Sequence, residues 1–153
     1  MRRIASTIAL LAASSVASQV VAGTHCVSPE QSLWSCTSKG KLYELCASHD
    51  LTKDRGYLQY RAGRIGSVEL VFPTSKLHPR GLFKHQLYAR NAALIFRNGD
   101  FEYELFDALT GKSELRVYRT SGKLLADISC NESNETFVGT DIIRRFAEIG
   151  LRE

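Results

Sequence analysis

The amino-acid sequence predicts an all-β fold class, an antiparallel β-sandwich or barrel-like sheet of eight or nine short strands with one short C-terminal α-helix. Short runs rich in apolar, β-branched and aromatic residues recur along residues 31–129 at a spacing of roughly 8 to 12 residues, with glycine-containing turns between them. The apolar period changes from that of a strand to that of a helix only near the C-terminus.

Turn residues bound the predicted strands. Ser38-Lys39-Gly40-Lys41 and Gly63-Arg64-Ile65-Gly66 separate the first two pairs of strands, and the two glycines of the second turn permit positive backbone angles. Pro73 ends the fourth strand because it has no amide hydrogen, and a less ordered basic stretch follows at residues 74–81. The predicted strands are residues 31–37, 42–47, 57–62, 68–72, 82–89, 92–97, 100–106, 114–119 and 124–129.

The middle of the chain carries the strongest hairpin signal. Asn98-Gly99 favours a two-residue turn because both positions accept left-handed backbone angles. In the strand that follows, apolar residues at 101, 103 and 105 alternate with Glu102 and Glu104. This period of two predicts one buried and one solvated face.

The C-terminal segment predicts a single helix. Thr140 is expected to cap its start, Asp141 favours the first turn, and Gly150 marks its end. Its apolar face is formed by Ile142, Ile143, Phe146 and Ile149.

Residues 1–22 predict a cleaved Sec signal peptide. Met1-Arg2-Arg3 is cationic, residues 4–21 are largely apolar, and Val20-Val21-Ala22 fits a signal peptidase cleavage site. Polar residues interrupt the apolar run, which disfavours a transmembrane anchor, and His25 rather than a small residue precedes Cys26, which disfavours lipidation. We therefore expect residues 23–153 to be exported as a single soluble, disulfide-stapled β domain.

Four cysteines, Cys26, Cys36, Cys46 and Cys130, predict two disulfides in an exported domain of this size. A tight hairpin at residues 38–41 would put Cys36 and Cys46 about three positions out of register and on opposite faces, which disfavours a bridge between them. Two pairings stay open, with Cys26 joined to Cys36 or to Cys46. No metal site is expected, because there is no C-x-x-C pair and the histidines are scattered. They are His25, His49, His78 and His85.

The charge distribution is more informative than the net charge. The full chain has 20 basic and 16 acidic residues, and removal of Arg2 and Arg3 leaves 18 against 16, or +2. This balance argues against bulk nucleic-acid binding. Residues 53–97 contain nine basic and two acidic residues, a local balance of +7, whereas residues 98–153 contain seven and eleven, or −4. The basic middle either faces an acidic partner or is distributed over solvated strands and turns.

Catalytic motifs are not evident in the sequence. There is no G-x-S-x-G, H-E-x-x-H or P-loop motif, and the neighbours His49 and Asp50 point apart on an extended chain. Glu102 and Glu104 share a strand face like a glycosidase pair, although solvated carboxylates on a polar face are the simpler explanation. We therefore predict a binding protein without enzymatic activity, cofactor or metal, because a rigid sheet offers a preformed contact surface.

Arginine and tyrosine are the residue types that dominate interface hot spots. We therefore select candidate contact residues of these types, together with one lysine, from the basic middle of the chain, residues 53–97. The basic candidates are expected to be exposed, whereas the tyrosines are expected either at the interface or in the core. The candidates are Tyr57, Tyr60, Arg61, Arg64, Arg80, Lys84, Tyr88 and Arg90.

The order of motifs resembles a family of small exported bacterial proteins. The motifs are Ser35-Cys36, Gly40-Lys41, Leu45-Cys46, the run Gly56-Tyr57-Leu58-Gln59-Tyr60-Arg61, Gly63, Gly66, Glu69-Leu70, Phe72-Pro73, Asn98-Gly99 and Cys130. Some members of that family resemble periplasmic immunity proteins of type VI secretion effectors, phospholipase D-like lipase effectors among them. The resemblance implies an all-β periplasmic inhibitor that binds a cognate effector enzyme and is a monomer when free. It implies no catalytic residue.

The sequence is also compatible with three other functions. One is a periplasmic domain that binds an envelope component or a small ligand. A lysozyme-type inhibitor is similar in broad architecture, but the SGxRY-type motif associated with such inhibitors is missing from this sequence. An uncharacterised hydrolase is the remaining alternative.

Overall fold

The computed structural model describes residues 23–131 and 137–152, and the predicted signal peptide, residues 1–22, lies outside the described residues. Nine strands precede one helix along the chain. The elements are β1 Gln31–Ser38, β2 Lys41–Ala47, β3 Leu58–Arg64, β4 Ser67–Phe72, β5 Phe83–Leu87, β6 Asn91–Asn98, β7 Phe101–Ala108, β8 Glu114–Arg119, β9 Leu124–Ser129 and α1 Thr140–Glu148.

The strands form two antiparallel sheets in which each strand pairs with its neighbours in sequence. The first sheet has the order β1-β2-β3-β4 and the second has the order β5-β6-β7-β8-β9. The chain passes from one sheet to the other through residues 73–82, a segment that begins with Pro73. The predicted all-β class is confirmed in its sandwich form, and neither sheet closes into a barrel.

Two hairpin turns use left-handed residues differently. In the β1–β2 turn, Lys39 and Gly40 both have positive φ, 49° and 74°, which suits the twist of the flanking strands. In the β6–β7 turn, Asn98 pairs with Phe101, so the turn residues are Gly99 and Asp100. Only Gly99 has a positive φ, of 59°. The prediction of a left-handed Asn98 is wrong, because a turn with a left-handed glycine at its first central position leaves Asn98 in the ladder.

Aromatic side chains fill the space between the sheets. Tyr60 of β3 packs against Phe96 of β6 at a centroid distance of 5.0 Å, and Phe96 stacks on Tyr103 at 4.9 Å and on Phe72 at 4.7 Å. Pairs of this kind contribute about 0.5 to 1.5 kcal/mol each beyond the apolar area that they bury. The core therefore joins strands of both sheets directly.

Two disulfides staple this sandwich. Cys26 is bonded to Cys46 and Cys36 to Cys130, which is one of the two pairings left open by the sequence. The argument against a Cys36–Cys46 bridge is confirmed, because Cys36 pairs with Tyr43 across the hairpin, three positions from Cys46. The Cys36–Cys130 bridge links β1 to the residue after β9 and therefore connects the two sheets.

Helix α1 lies against the second sheet. The buried ring of Phe146 contacts His85 of β5 at a centroid distance of 4.9 Å, and the backbone amide of His85 donates to the carbonyl of Leu151. The N-cap residue is Gly139, which makes no side-chain hydrogen bond to the helix. Thr140, the predicted cap, is instead the first helical residue. Gly150 ends the helix with a φ of 80°, as predicted. The described residues contain no helix with the length and apolar character that a bilayer crossing requires.

Candidate interaction surface

Strand register builds rows of side chains on the face of the second sheet that is turned away from the core. We call this surface the outer face. One row runs across all five strands and consists of Lys84, Ile95, Glu104, Arg116 and Asp127. The adjacent row consists of Arg97, Glu102, Tyr118 and Leu124.

The alternation predicted for β7 produces this arrangement. Tyr103 and Leu105 point into the core, and Leu105 is fully buried. Glu102 and Glu104 point to the outer face, where both are partly exposed. The prediction of one buried and one solvated face is confirmed for this strand, although Phe101 at its start is 38% exposed because it lies at the end of the sheet.

Ion pairs connect side chains on the outer face, both between neighbouring strands and within β8. Arg97 Nε lies 2.7 Å from Glu102 Oε2, and Arg116 bonds Glu114 through Nη2. Arg116 Nη1 lies 3.9 Å from Glu104 Oε2, and its guanidinium stacks over the Phe106 ring at 4.2 Å. The charges therefore alternate in sign over the sheet.

Glu104 is a partly buried carboxylate in the first of these rows. Burial raises the pKa of the Glu104 carboxyl, and the charges of Glu102 and Glu114 raise it further. Arg116 and the Tyr118 hydroxyl each lower the pKa by less than burial raises it. A partly desolvated negative charge therefore lies in the middle of the outer face.

Glu104 lines a shallow depression of about 410 Å³ on this face. Tyr88, which is 46% exposed, and Tyr118 line it as well, together with the aliphatic side chain of Ile95. The remaining lining residues are Gln86, Arg97, Glu102, Arg119, Thr120 and Gly122.

The structure brings two of the sequence-predicted contact residues to this surface. Lys84 lies in the first row, and Tyr88 follows the same strand and is close enough to Lys84 and Glu104 for their charges to influence its pKa, which burial raises. Tyr118 was missed as a contact residue, because its place beside Tyr88 depends on the pairing of β8 with β7.

Two other candidates, Tyr60 and Arg61, are buried. Tyr60 is fully buried in the aromatic core, and Arg61 is only 7% exposed, so the expectation that Arg61 is exposed is wrong. The cause is the position of β3 between β2 and β4, with the N-terminal residues 23–30 covering its outer side. Neither side chain is available to a partner in this fold.

Arg61 is instead the centre of a buried polar network. Its guanidinium bonds both carboxylate oxygens of Glu30, at 2.6 and 2.7 Å, and also the carbonyl of His25 and the side chain of Gln59. The Tyr57 hydroxyl donates to Glu30 at 2.6 Å. Burial alone raises the pKa of the Glu30 carboxyl, but these hydrogen bonds outweigh burial and hold the pKa at about 2. Tyr57 and Arg61 therefore anchor the N-terminal segment.

The remaining basic candidates do not form one surface. Arg64 is exposed at the end of β3 in the first sheet, and Arg90 is exposed in the β5–β6 turn of the second. Arg80 donates to the carbonyl of Lys53 and lines a groove of about 1060 Å³ beside α1. The basic middle is distributed over both sheets, which favours the interpretation of solvated strands and turns.

Buried acidic groups elsewhere are engaged in holding elements together. Asp107 of β7 is 1% exposed and accepts hydrogen bonds from Trp34 Nε1 at 3.1 Å, from the Ser113 hydroxyl and from the Phe137 amide at 2.7 Å. Burial raises the pKa of Asp107, and these hydrogen bonds oppose the rise. The carboxylate links β7 to β1 and to the segment before α1.

Two sets of groups have the residue types of a metal or catalytic site. Within residues 23–131 and 137–152, one cluster of potential ligands comprises Cys26, Glu44 and Cys46, but its two sulfurs are bonded to each other as a disulfide. His49 and Asp50 are both exposed after β2. Neither set is positioned by a second group in the way that a catalytic triad requires.

Comparison with known proteins gives no match. No protein-family model, no curated protein and no solved structure is significantly similar to this chain. Function is therefore inferred from the outer face and from the resemblance of the sequence motifs.

Proposed function

We propose that this protein is an exported binding protein that blocks a toxic enzyme by covering it, and that the outer face is its contact surface. In the finer form of the proposal, it is a periplasmic immunity protein for a type VI secretion lipase effector. The finer form depends on the motif resemblance.

The outer face is the observation that carries the proposal. Tyr88, Tyr118 and Phe106 lie there beside alternating charges, and tyrosine and arginine are the residue types that contribute most to interface energies. Because these charges already pair with each other, both across strands and within β8, the face is held in one arrangement before a partner arrives. Such preorganisation lowers the entropic cost of association.

The outer face forms a stable complex of standard size only together with the turns that flank it. Five strands at a spacing of about 4.8 Å and six residues at a rise of about 3.3 Å give a footprint of about 24 by 20 Å. A standard interface buries about 800 Å² on each partner, which exceeds this footprint of about 480 Å². The flanking turns, including exposed Arg90 and residues 120–122, must therefore contribute.

The two disulfides and the engaged buried carboxylates support a binding role over a catalytic one. Glu30, Glu44 and Asp107 each accept two or more hydrogen bonds from groups that fix neighbouring segments. Carboxylates of this kind stabilise a rigid frame. A rigid frame is what an occluding inhibitor needs.

Co-purification with the product of the adjacent gene tests the proposal. We expect a complex with that enzyme and loss of its toxicity in cells that export this protein. A Tyr88→Ala/Tyr118→Ala double variant should weaken the complex at least tenfold, whereas Leu77→Ala, a change at a residue 50% exposed outside the sheets, should leave the affinity unchanged. If the adjacent product is no toxin, or if deletion of this gene leaves cells resistant to it, the proposal fails.

A further inference from the structure

We propose that the depression on the outer face binds an organic cation, namely the ammonium or guanidinium group of a basic side chain that the partner inserts between Tyr88 and Tyr118. The identity of the donor rests on the proposed function, whereas the chemistry of the depression does not.

The charges that line the depression leave one carboxylate without a cation among the lining residues. Of the two guanidinium groups in the lining, that of Arg97 is bonded to Glu102, and that of Arg119 lies over the Phe101 ring at 5.9 Å. Glu102 is therefore compensated within the depression. Glu104 has the Tyr118 hydroxyl as a hydrogen-bond partner in the lining but no guanidinium group there.

The nearest cation to Glu104 is shared with a second carboxylate. Arg116 approaches Glu104 only to 3.9 Å, while its other nitrogen bonds Glu114 and its plane stacks on Phe106. The Glu104 side chain is only 15% exposed. Because this carboxylate has lost most of its hydration, a cation that approaches it from the depression should stabilise its charged form.

The walls of the depression suit a cation better than a neutral group. Tyr88 and Tyr118 place two aromatic rings beside Glu104, and aromatic faces attract cations through their quadrupole. Ile95 offers aliphatic contact for the methylene groups of a lysine or arginine stem. The volume of about 410 Å³ falls within the range of small-ligand sites, so a single side chain can enter.

Titration with n-butylammonium, a mimic of the lysine side chain, tests the site in the full exported protein with both disulfides intact. We expect saturable shifts of the Tyr88 and Tyr118 ring signals in nuclear magnetic resonance spectra, and no saturable shifts with n-butanol at the same concentrations. Glu104→Gln should weaken binding at least fivefold. Arg116→Gln should tighten it about threefold, because it removes the competing cation, and a gain of binding is not an effect that loss of structure produces.

Three results would overturn the inference: equal shifts with butanol and butylammonium, no saturable shift, or unchanged binding by Glu104→Gln. Glu69→Gln, in the first sheet, is the matched control and should leave binding unchanged. If butylammonium binds but Glu104→Gln leaves the affinity for the effector unchanged, the site takes a free amine and not a partner side chain. If no effector binds at all, the proposed function fails while the cation titration stands by itself.

Discussion

Replacement of Glu30 by glutamine tests how far the buried network with Arg61 stabilises the fold. The pKa of Glu30 is about 2 in the folded protein and 4.5 for the free side chain. A difference of about 2.5 units corresponds to at most about 3.4 kcal/mol of stability at neutral pH. The Glu30 side chain is only 3% exposed, but the Lys76 ammonium 3.6 Å from it belongs to a side chain that is 59% exposed, so water screens part of the interaction. We therefore expect Glu30→Gln to lower the free energy of unfolding by about 2 to 3 kcal/mol at pH 7.

The pH dependence distinguishes a charge effect from a packing effect. Because the folded pKa is depressed, the contribution of Glu30 is fully present above pH 4.5 and is lost as the pH falls towards about 2. Urea unfolding of the wild type and the variant between pH 7 and pH 2 measures it. The difference between the two proteins should be constant down to about pH 5 and should then shrink.

Glu69→Gln is the matched control for this experiment. Glu69 pairs with Lys41 at 2.7 Å, but the two side chains are 46% and 42% exposed, so solvent screens the pair and its loss should not be measurable. An equal loss of stability in both variants would refute the reasoning. A Glu30→Gln deficit that persists at pH 2 would refute it as well, since it would show that shape and not charge is responsible.

Three further outcomes are expected. Replacement of both Cys36 and Cys130 by serine should lower the free energy of unfolding by about 4 to 5 kcal/mol, as measured by urea unfolding. Loss of the Cys26–Cys46 bridge should cost less, about 3 kcal/mol, because its loop spans 20 residues and not 94. The reverse order would contradict this prediction. Burial lowers the pKa of His85, so wild-type stability should fall as the pH drops below about 6.5, and His85→Gln should flatten that fall in thermal melts. Asp107→Ala leaves three donors without their acceptor and should cost about 3 to 5 kcal/mol, whereas exposed Asp127→Ala should be neutral by the same assay.

Most of the fold could be predicted because its signals are local. The turn residues and the period of two locate all nine strands to within two residues at either end, and the change of period locates α1. The grouping into sheets of four and five strands could not be read in the same way. It depends on which strands pair across the 73–82 segment, and no single stretch of sequence encodes that choice.

The candidate surface was predictable only in part. Lys84 and Tyr88 could be identified by residue type, but Tyr118 and Glu104 join them only through the register of three strands. The expectation that Arg61 is exposed is wrong for a similar reason. An arginine in the middle of a strand is expected to be exposed. Arg61 is buried because residues 23–30, which precede it by more than thirty positions in the sequence, pack against the sheet.

Under the proposed export, the Cys36–Cys130 bridge has a consequence for the order in which the disulfides form. A chain that crosses a membrane N-terminus first presents Cys26, Cys36 and Cys46 together, while Cys130 emerges only after another 84 residues, the difference between positions 130 and 46. Until then Cys36 has no correct partner, and an oxidase that joins cysteines in order of appearance would pair it with Cys26. Yield in the exported compartment should therefore depend on a disulfide isomerase, whereas a chain without Cys36 and Cys130 should mature without one.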